Sequence, residues 1–140
     1  MGKYRVIFLD FQVCRSLRTV PSARLRKQVI TGTSWDAMRD SFKSMVSVLY
    51  GNWREYLWDS LDPEDQKTFQ SIRSREASDA TFRASLDLLS QFLYKKSGRK
   101  VIVLIDEYEA PNNRAYEFNF FEEVRPLYPS RLCSRLAILI

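Results

Sequence analysis

Residues Val101-Ile102-Val103-Leu104-Ile105 form an unbroken aliphatic run that stops abruptly in acid at Asp106-Glu107, followed by Tyr108-Glu109. A run of this kind, mostly β-branched and without polar alternation, predicts a strand over residues 100–106, buried on both faces of a parallel sheet. Tyr4-Arg5-Val6-Ile7-Phe8-Leu9-Asp10-Phe11, also β-branched and aromatic, predicts a strand over residues 4–11. Leu136-Ala137-Ile138-Leu139-Ile140 predicts a third, over residues 136–140.

Helical spacing fills the intervals. Trp35, Met38, Phe42, Met45, Val46 and Leu49 share one stripe, and Trp53, Tyr56, Leu57 and Leu61 continue it up to the helix-start signal Asp62-Pro63-Glu64-Asp65. Residues 34–78 are therefore expected as a helical insertion whose aromatics serve a core rather than a base-stacking surface. Ser85, Leu86, Leu88, Leu89, Phe92 and Leu93 predict a helix over residues 79–96, ended by Lys95-Lys96-Ser97-Gly98-Arg99-Lys100. Ala110-Pro111-Asn112-Asn113 breaks the second strand, and Asn112 or Asn113 is the expected cap of a helix over residues 112–124, through Ala115, Phe118, Phe121 and Val124. Strands separated by helices need crossover connections, so the expected fold class is α/β with a parallel sheet and a helical insertion.

The acids give that sheet its candidate chemistry. In open α/β sheets ligands bind beyond the carboxyl ends of the strands. Asp106, the last residue to leave the sheet, is placed to reach a magnesium ion through the ion's retained waters. Glu107 follows on the opposite side of the strand, where it can address an attacking water. Aliphatic residues followed by this pair form the Walker B pattern of P-loop NTPases. The plainer alternative is a buried strand whose terminal acids meet solvent or cap the next helix.

Leu104-Ile105-Asp106-Glu107-Tyr108-Glu109-Ala110-Pro111, followed by Ala115-Tyr116, resembles the LIDEYD-x-P signature of the AAA-ATPase-like family, whose members often carry a restriction-endonuclease-like domain after the ATPase. Val6 to Phe11 looks like that family's strand after the phosphate-binding helix, and Ser85 to Ser90 like its helix before Walker B. The resemblance implies Asp106 as the magnesium-associated acid, acting through water, and Glu107 as the catalytic, water-activating one, with Mg2+ and ATP as cofactors. Glu109 stands where the family usually has Asp, and only residues 101–116 are specific within a match spanning about residues 4–124.

One required part is missing. A P-loop NTPase needs G-x-x-x-x-G-K-[ST], whose backbone N–H groups and lysine cradle the phosphates. Gly2, Gly32, Gly51 and Gly98 are isolated, and none begins such a loop. The expectation is an incomplete P-loop NTPase-like domain over residues 1–140, a fragment rather than a reduced domain, which by itself binds ATP weakly or not at all.

Composition bounds the alternatives. A chain of 140 residues with 45% hydrophobic and 14% aromatic content has material for one core, burying roughly two thirds of its unfolded surface. No apolar run approaches the ~20 residues of a membrane span, and no signal-peptide pattern opens the chain, so an intracellular protein without a membrane partner is expected. Cys14 and Cys133 are unpatterned and His is absent, which argues against a zinc site and leaves Ser16, Ser22 and Ser34 without an activating base. Residues 1–54 carry 10 Lys/Arg against 3 Asp/Glu, whereas residues 55–140 carry 12 against 14. Arg15, Arg18, Arg24, Arg26 and Lys27 lie in an acid-free stretch that could follow a nucleic-acid backbone or an acidic partner. The alternative function is therefore a non-catalytic nucleic-acid- or protein-binding module.

Overall fold

Strand β1 (Arg5–Asp10) lies beside β2 (Val101–Asp106), and β3 (Arg135–Leu139) completes the hydrogen-bonded order β1-β2-β3. These elements belong to a computed structural model that describes residues 5–10, 34–106, 110–119, 122 and 135–139. The Arg5 N–H, at the start of β1, donates to the Lys100 carbonyl just ahead of β2 (3.3 Å), so the two strands begin side by side and run the same way. Most described residues are helical, and the class is mixed α/β with a small sheet.

Long helix α1 (Trp35–Leu57) is followed by a 3-10 turn (Trp58–Ser60), α2 (Pro63–Arg73), α3 (Asp79–Arg83) and α4 (Ser85–Ser97) before β2, and α5 (Ala110–Glu117) comes after it. The chain clusters into two compact units, one of Met1–Ile7, Phe42–Ile102 and Ile138–Ile140, the other of Phe8–Ser41 and Val103–Ala137. In the first, Met45, Val46, Leu49, Tyr50 and Leu57 of α1 are buried with Phe69 and Ile72 of α2, Phe82 of α3, and Leu89, Phe92 and Leu93 of α4. In the second, Leu9, Met38, Val103, Ile105 and Ala115 are buried.

Four expectations are revised. Residues 79–96 hold two helices, not one, because Ser85 Oγ donates back to the Phe82 carbonyl (2.7 Å) and the chain turns at Ala84. Helix α5 begins at Ala110, so Asn112 and Asn113 lie inside its first turn rather than ahead of it, and it ends at Glu117, before Phe118, while Phe121 and Val124 lie outside the described residues. Pro111 is tolerated there because first-turn N–H groups have no intrahelical acceptor. The third revision concerns the sheet. Ile7, Leu9, Val101, Val103 and Ile105 are buried, but Val6 and Phe8 are 46% and 56% exposed and Ile102 and Leu104 are half-buried, so β1 and β2 bury one face rather than two. The last is the set of strand bounds: β2 begins at Val101 rather than at residue 100 and β3 at Arg135 rather than at residue 136, while residues 4, 11 and 140 lie outside the described residues.

Asp62 starts α2 as the sequence pattern requires: its carboxylate accepts from the Asp65 N–H (2.8 Å) and the Glu64 N–H (3.1 Å), with Pro63 in the first turn. The Asp65 N–H chiefly, helped by Lys95 and the Glu64 N–H, holds the Asp62 carboxyl below its ordinary pKa. A depressed folded-state value stabilises above the unfolded carboxylate range and is lost as pH falls through the folded value. Asp62→Ala is expected to lower Tm at neutral pH by about 3–5 °C and to narrow its gap from the parent as the pH falls below 4, both measurable by thermal melts followed by circular dichroism.

Candidate functional site

The candidate site is the carboxyl end of β2, where the aliphatic run gives way to acid. Asp106 is the final residue of the strand, and α5 begins four residues later at Ala110. Three residues thus join them. Glu107, the expected water-activating acid, is one of these and lies outside the described residues, as do Tyr108 and Glu109. What the fold determines is the backbone position of Asp106, on the central strand of the sheet and at the edge where α/β proteins place ligands.

A second acid shares that edge. The Arg5 N–H to Lys100 carbonyl bond sets Arg5 opposite Val101 in a parallel register, and both strands are six residues long. Asp10 therefore stands opposite Asp106, on a neighbouring strand whose backbone is about 4.8 Å away. In the sequence Asp10 is a second acid at a strand end, followed by Phe11 and expected to have no catalytic role; its alignment with Asp106 depends on a pairing between residues nearly a hundred positions apart. Hard carboxylate oxygens suit a magnesium ion, and the backbone brings two carboxylate-bearing positions level at one strand edge. Among the described residues, no group of three or more His, Cys, Asp or Glu side chains is gathered to hold a metal.

Among the described residues, neither glycine belongs to a cradle for the phosphates of ATP. Gly51 lies within α1, and Gly98 caps α4 in the left-handed conformation (φ 63°), its N–H donating to the Tyr94 carbonyl (2.8 Å). Gly98-Arg99-Lys100 thus leads from a helix into a strand. A phosphate loop runs the other way, from a strand into a helix whose free N–H groups face the anion. No step through bound nucleotide follows from these elements.

The basic residues Arg15, Arg18, Arg24, Arg26 and Lys27 lie outside the described residues, together with both cysteines. No described helix is long and apolar enough to cross a membrane. The described cations with recognisable roles are elsewhere: Lys43 pairs with Asp79 (2.6 Å) and Lys95 with Asp65 (2.8 Å), tying α1 to α3 and α4 to α2. No family model matches the chain, and no curated protein and no solved structure is significantly similar to it.

Proposed function

We propose that this chain carries the acidic half of an ATPase site of the P-loop, AAA-like kind, with Asp106 holding magnesium through its waters and Glu107 activating the attacking water. The observation that supports the reading is the placement of Asp106 as the last residue of a central strand beside a parallel neighbour, entered from a helix and left towards another. An acid at that position is held by a rigid element, which is what orientation of a metal-bound water requires. The reading needs the phosphates to be held by groups beyond residues 1–140, since these contain no phosphate loop. The finer fold it implies is a P-loop NTPase-like parallel sheet with a helical insertion, of which β1 and β2 are two strands.

The test begins with the transcript. An in-frame strand, G-x-x-x-x-G-K-[ST] and helix upstream of Met1 are expected, and the extended product should hydrolyse MgATP where the 140-residue chain does not. Glu107→Gln keeps the shape of the side chain but cannot take a proton, so kcat should fall by about 10²–10⁴-fold while MgATP still binds. A transcript without such a loop, or turnover indifferent to Glu107→Gln, overturns the reading.

A further inference from the structure

The opposite end of the same strand pair gathers positive charge around one aromatic ring. Arg5 places its guanidinium 4.8 Å from the centre of the Tyr56 ring and donates through Nη2 to the Tyr56 hydroxyl (3.0 Å). Lys96, from the last turn of α4, brings its ammonium to 4.8 Å from the same ring centre. The two cations are therefore within about 10 Å of each other, the most that two such ring contacts allow. Trp53, one turn earlier on α1, meets Tyr56 edge-on at 6.0 Å. The exposed residue Lys100 joins the same edge, its carbonyl bonded to the Arg5 N–H.

Like charges held this close repel, and a fold normally relieves the repulsion with a carboxylate. None is supplied among the described residues. Asp36, Asp65 and Asp79 pair with Arg39, Lys95 and Lys43, and not with Arg5 or Lys96. Among the described residues, Arg5 and Lys96 meet only the phenol, which stabilises cations through its ring face without neutralising them. The Arg5 Nε–H is, in addition, buried with no acceptor. A buried charged donor left unpaired is costly, and a guanidinium has a fork of further N–H groups suited to an oxyanion. Tyr56 and Trp53 hold the arrangement in place, so little ordering remains when an anion arrives.

We propose that Arg5 and Lys96 form a binding site for a phosphate group at the amino-terminal edge of the β1–β2 pair. The site is separate from the acidic end of β2 and does not depend on the ATPase reading. Phosphate is favoured over carboxylate because two cations share one ring, and a phosphate dianion or a phosphodiester offers enough oxygens to meet both a guanidinium fork and an ammonium group. Two sources share this chemistry, free phosphate and the backbone of a nucleic-acid strand.

The experiment titrates the 140-residue chain at low salt, by calorimetry and tryptophan fluorescence, with inorganic phosphate in one arm and a short oligothymidylate in the other. Saturable binding of at least one probe is expected. Lys96→Gln should weaken it by about tenfold, Lys96→Arg should restore it, and Lys67→Gln, which removes one exposed charge from α2, should leave it unchanged. Binding of the oligonucleotide alone assigns the site to a nucleic-acid backbone; binding of phosphate in both forms assigns it to phosphate generally. Lys96 is exposed, and its ring contact is the sole interaction it makes among the described residues, so Lys96→Gln keeps the fold, as circular dichroism will verify, even if Arg5→Gln does not. No saturable binding of either probe, or binding that Lys96→Gln and Lys67→Gln weaken equally, overturns the proposal.

Discussion

Phe69→Ala is expected to destabilise the chain by about 3–5 kcal/mol, the usual range for removing a buried phenyl ring. Phe69 is fully buried on α2 and is the ring on which three other aromatics meet: Tyr50 of α1 at 4.8 Å, Trp58 of the 3-10 turn at 6.2 Å, and Phe92 of α4 at 6.3 Å between centroids. Truncation removes apolar area and leaves a cavity that partners from three separate segments cannot all move to fill. Each tilted or edge-on pair adds about 0.5–1.5 kcal/mol beyond area burial, although the three are not additive because they share one ring. Domains of this size are stable by about 5–15 kcal/mol in total, so the variant should be close to unfolding at 37 °C. Urea denaturation followed by circular dichroism measures the loss, and Trp58 fluorescence should change in the native baseline because its ring partner has gone. Phe8→Ala is the control: Phe8 is largely exposed on the open face of β1, and its loss should alter stability by about 0.5 kcal/mol or less. Equal effects of the two substitutions would mean that Phe69 is not the centre of the core.

Some of this organisation is legible in the residues and some is not, and the division follows the range of the interactions. The stripe from Trp35 to Leu49 predicts α1 because helical periodicity is local, and Met38, Met45, Val46 and Leu49 are buried as that stripe requires. Asp62-Pro63 marks the start of α2 for the same reason, since cap and N–H donors are two and three residues apart. The break between α3 and α4 contains neither Gly nor Pro. It is accompanied by a tie to another segment, the Tyr50 hydroxyl donating to the Ser85 carbonyl from 35 positions away (2.6 Å). Nothing in residues 79–96 announces that donor. The open face of the sheet was hidden by the aliphatic run itself, because a strand without alternation reads as buried on both sides whether or not both are covered.

The candidate site divides in the same way. That Asp106 closes a strand is visible where the aliphatic run ends, while its alignment with Asp10 exists only through the register of β1 and β2. The Arg5, Tyr56 and Lys96 cluster is further from view: its members come from a strand, the end of α1 and the end of α4, and only the fold brings these three segments together. Along the chain, by contrast, Arg15, Arg18, Arg24, Arg26 and Lys27 stand out because no acid interrupts them. Charge density along a chain and convergence in space are different properties, and only the second makes a ligand site.

The other large effect concerns Tyr50 and appears at high pH. Its side chain is fully buried, and its hydroxyl donates to the Ser85 carbonyl (2.6 Å). Burial pushes the phenol well above the ordinary tyrosine pKa, because the phenolate would lose its hydration in the core. With the folded-state value above the unfolded one, the stabilisation is complete below the unfolded pKa of about 10 and declines as pH rises towards the folded value. In that window the unfolded chain has released a proton that the folded chain retains. Stability should therefore fall by about 1.4 kcal/mol per pH unit from this residue alone. Tyr50→Phe removes the titrating group and the hydrogen bond together. At pH 7 the variant should be less stable by about 1 kcal/mol, the net worth of a neutral hydrogen bond, but it lacks the alkaline slope. Urea denaturation of both proteins at pH 7, 10 and 11 should show the difference shrinking above pH 10 and reversing in favour of the variant near pH 11. Lysines and the remaining tyrosines titrate in both proteins and cancel in the comparison. A difference that stays constant across those three conditions would show that the Tyr50 phenol titrates alike in the folded and unfolded chains, and so that its hydroxyl is not held away from water.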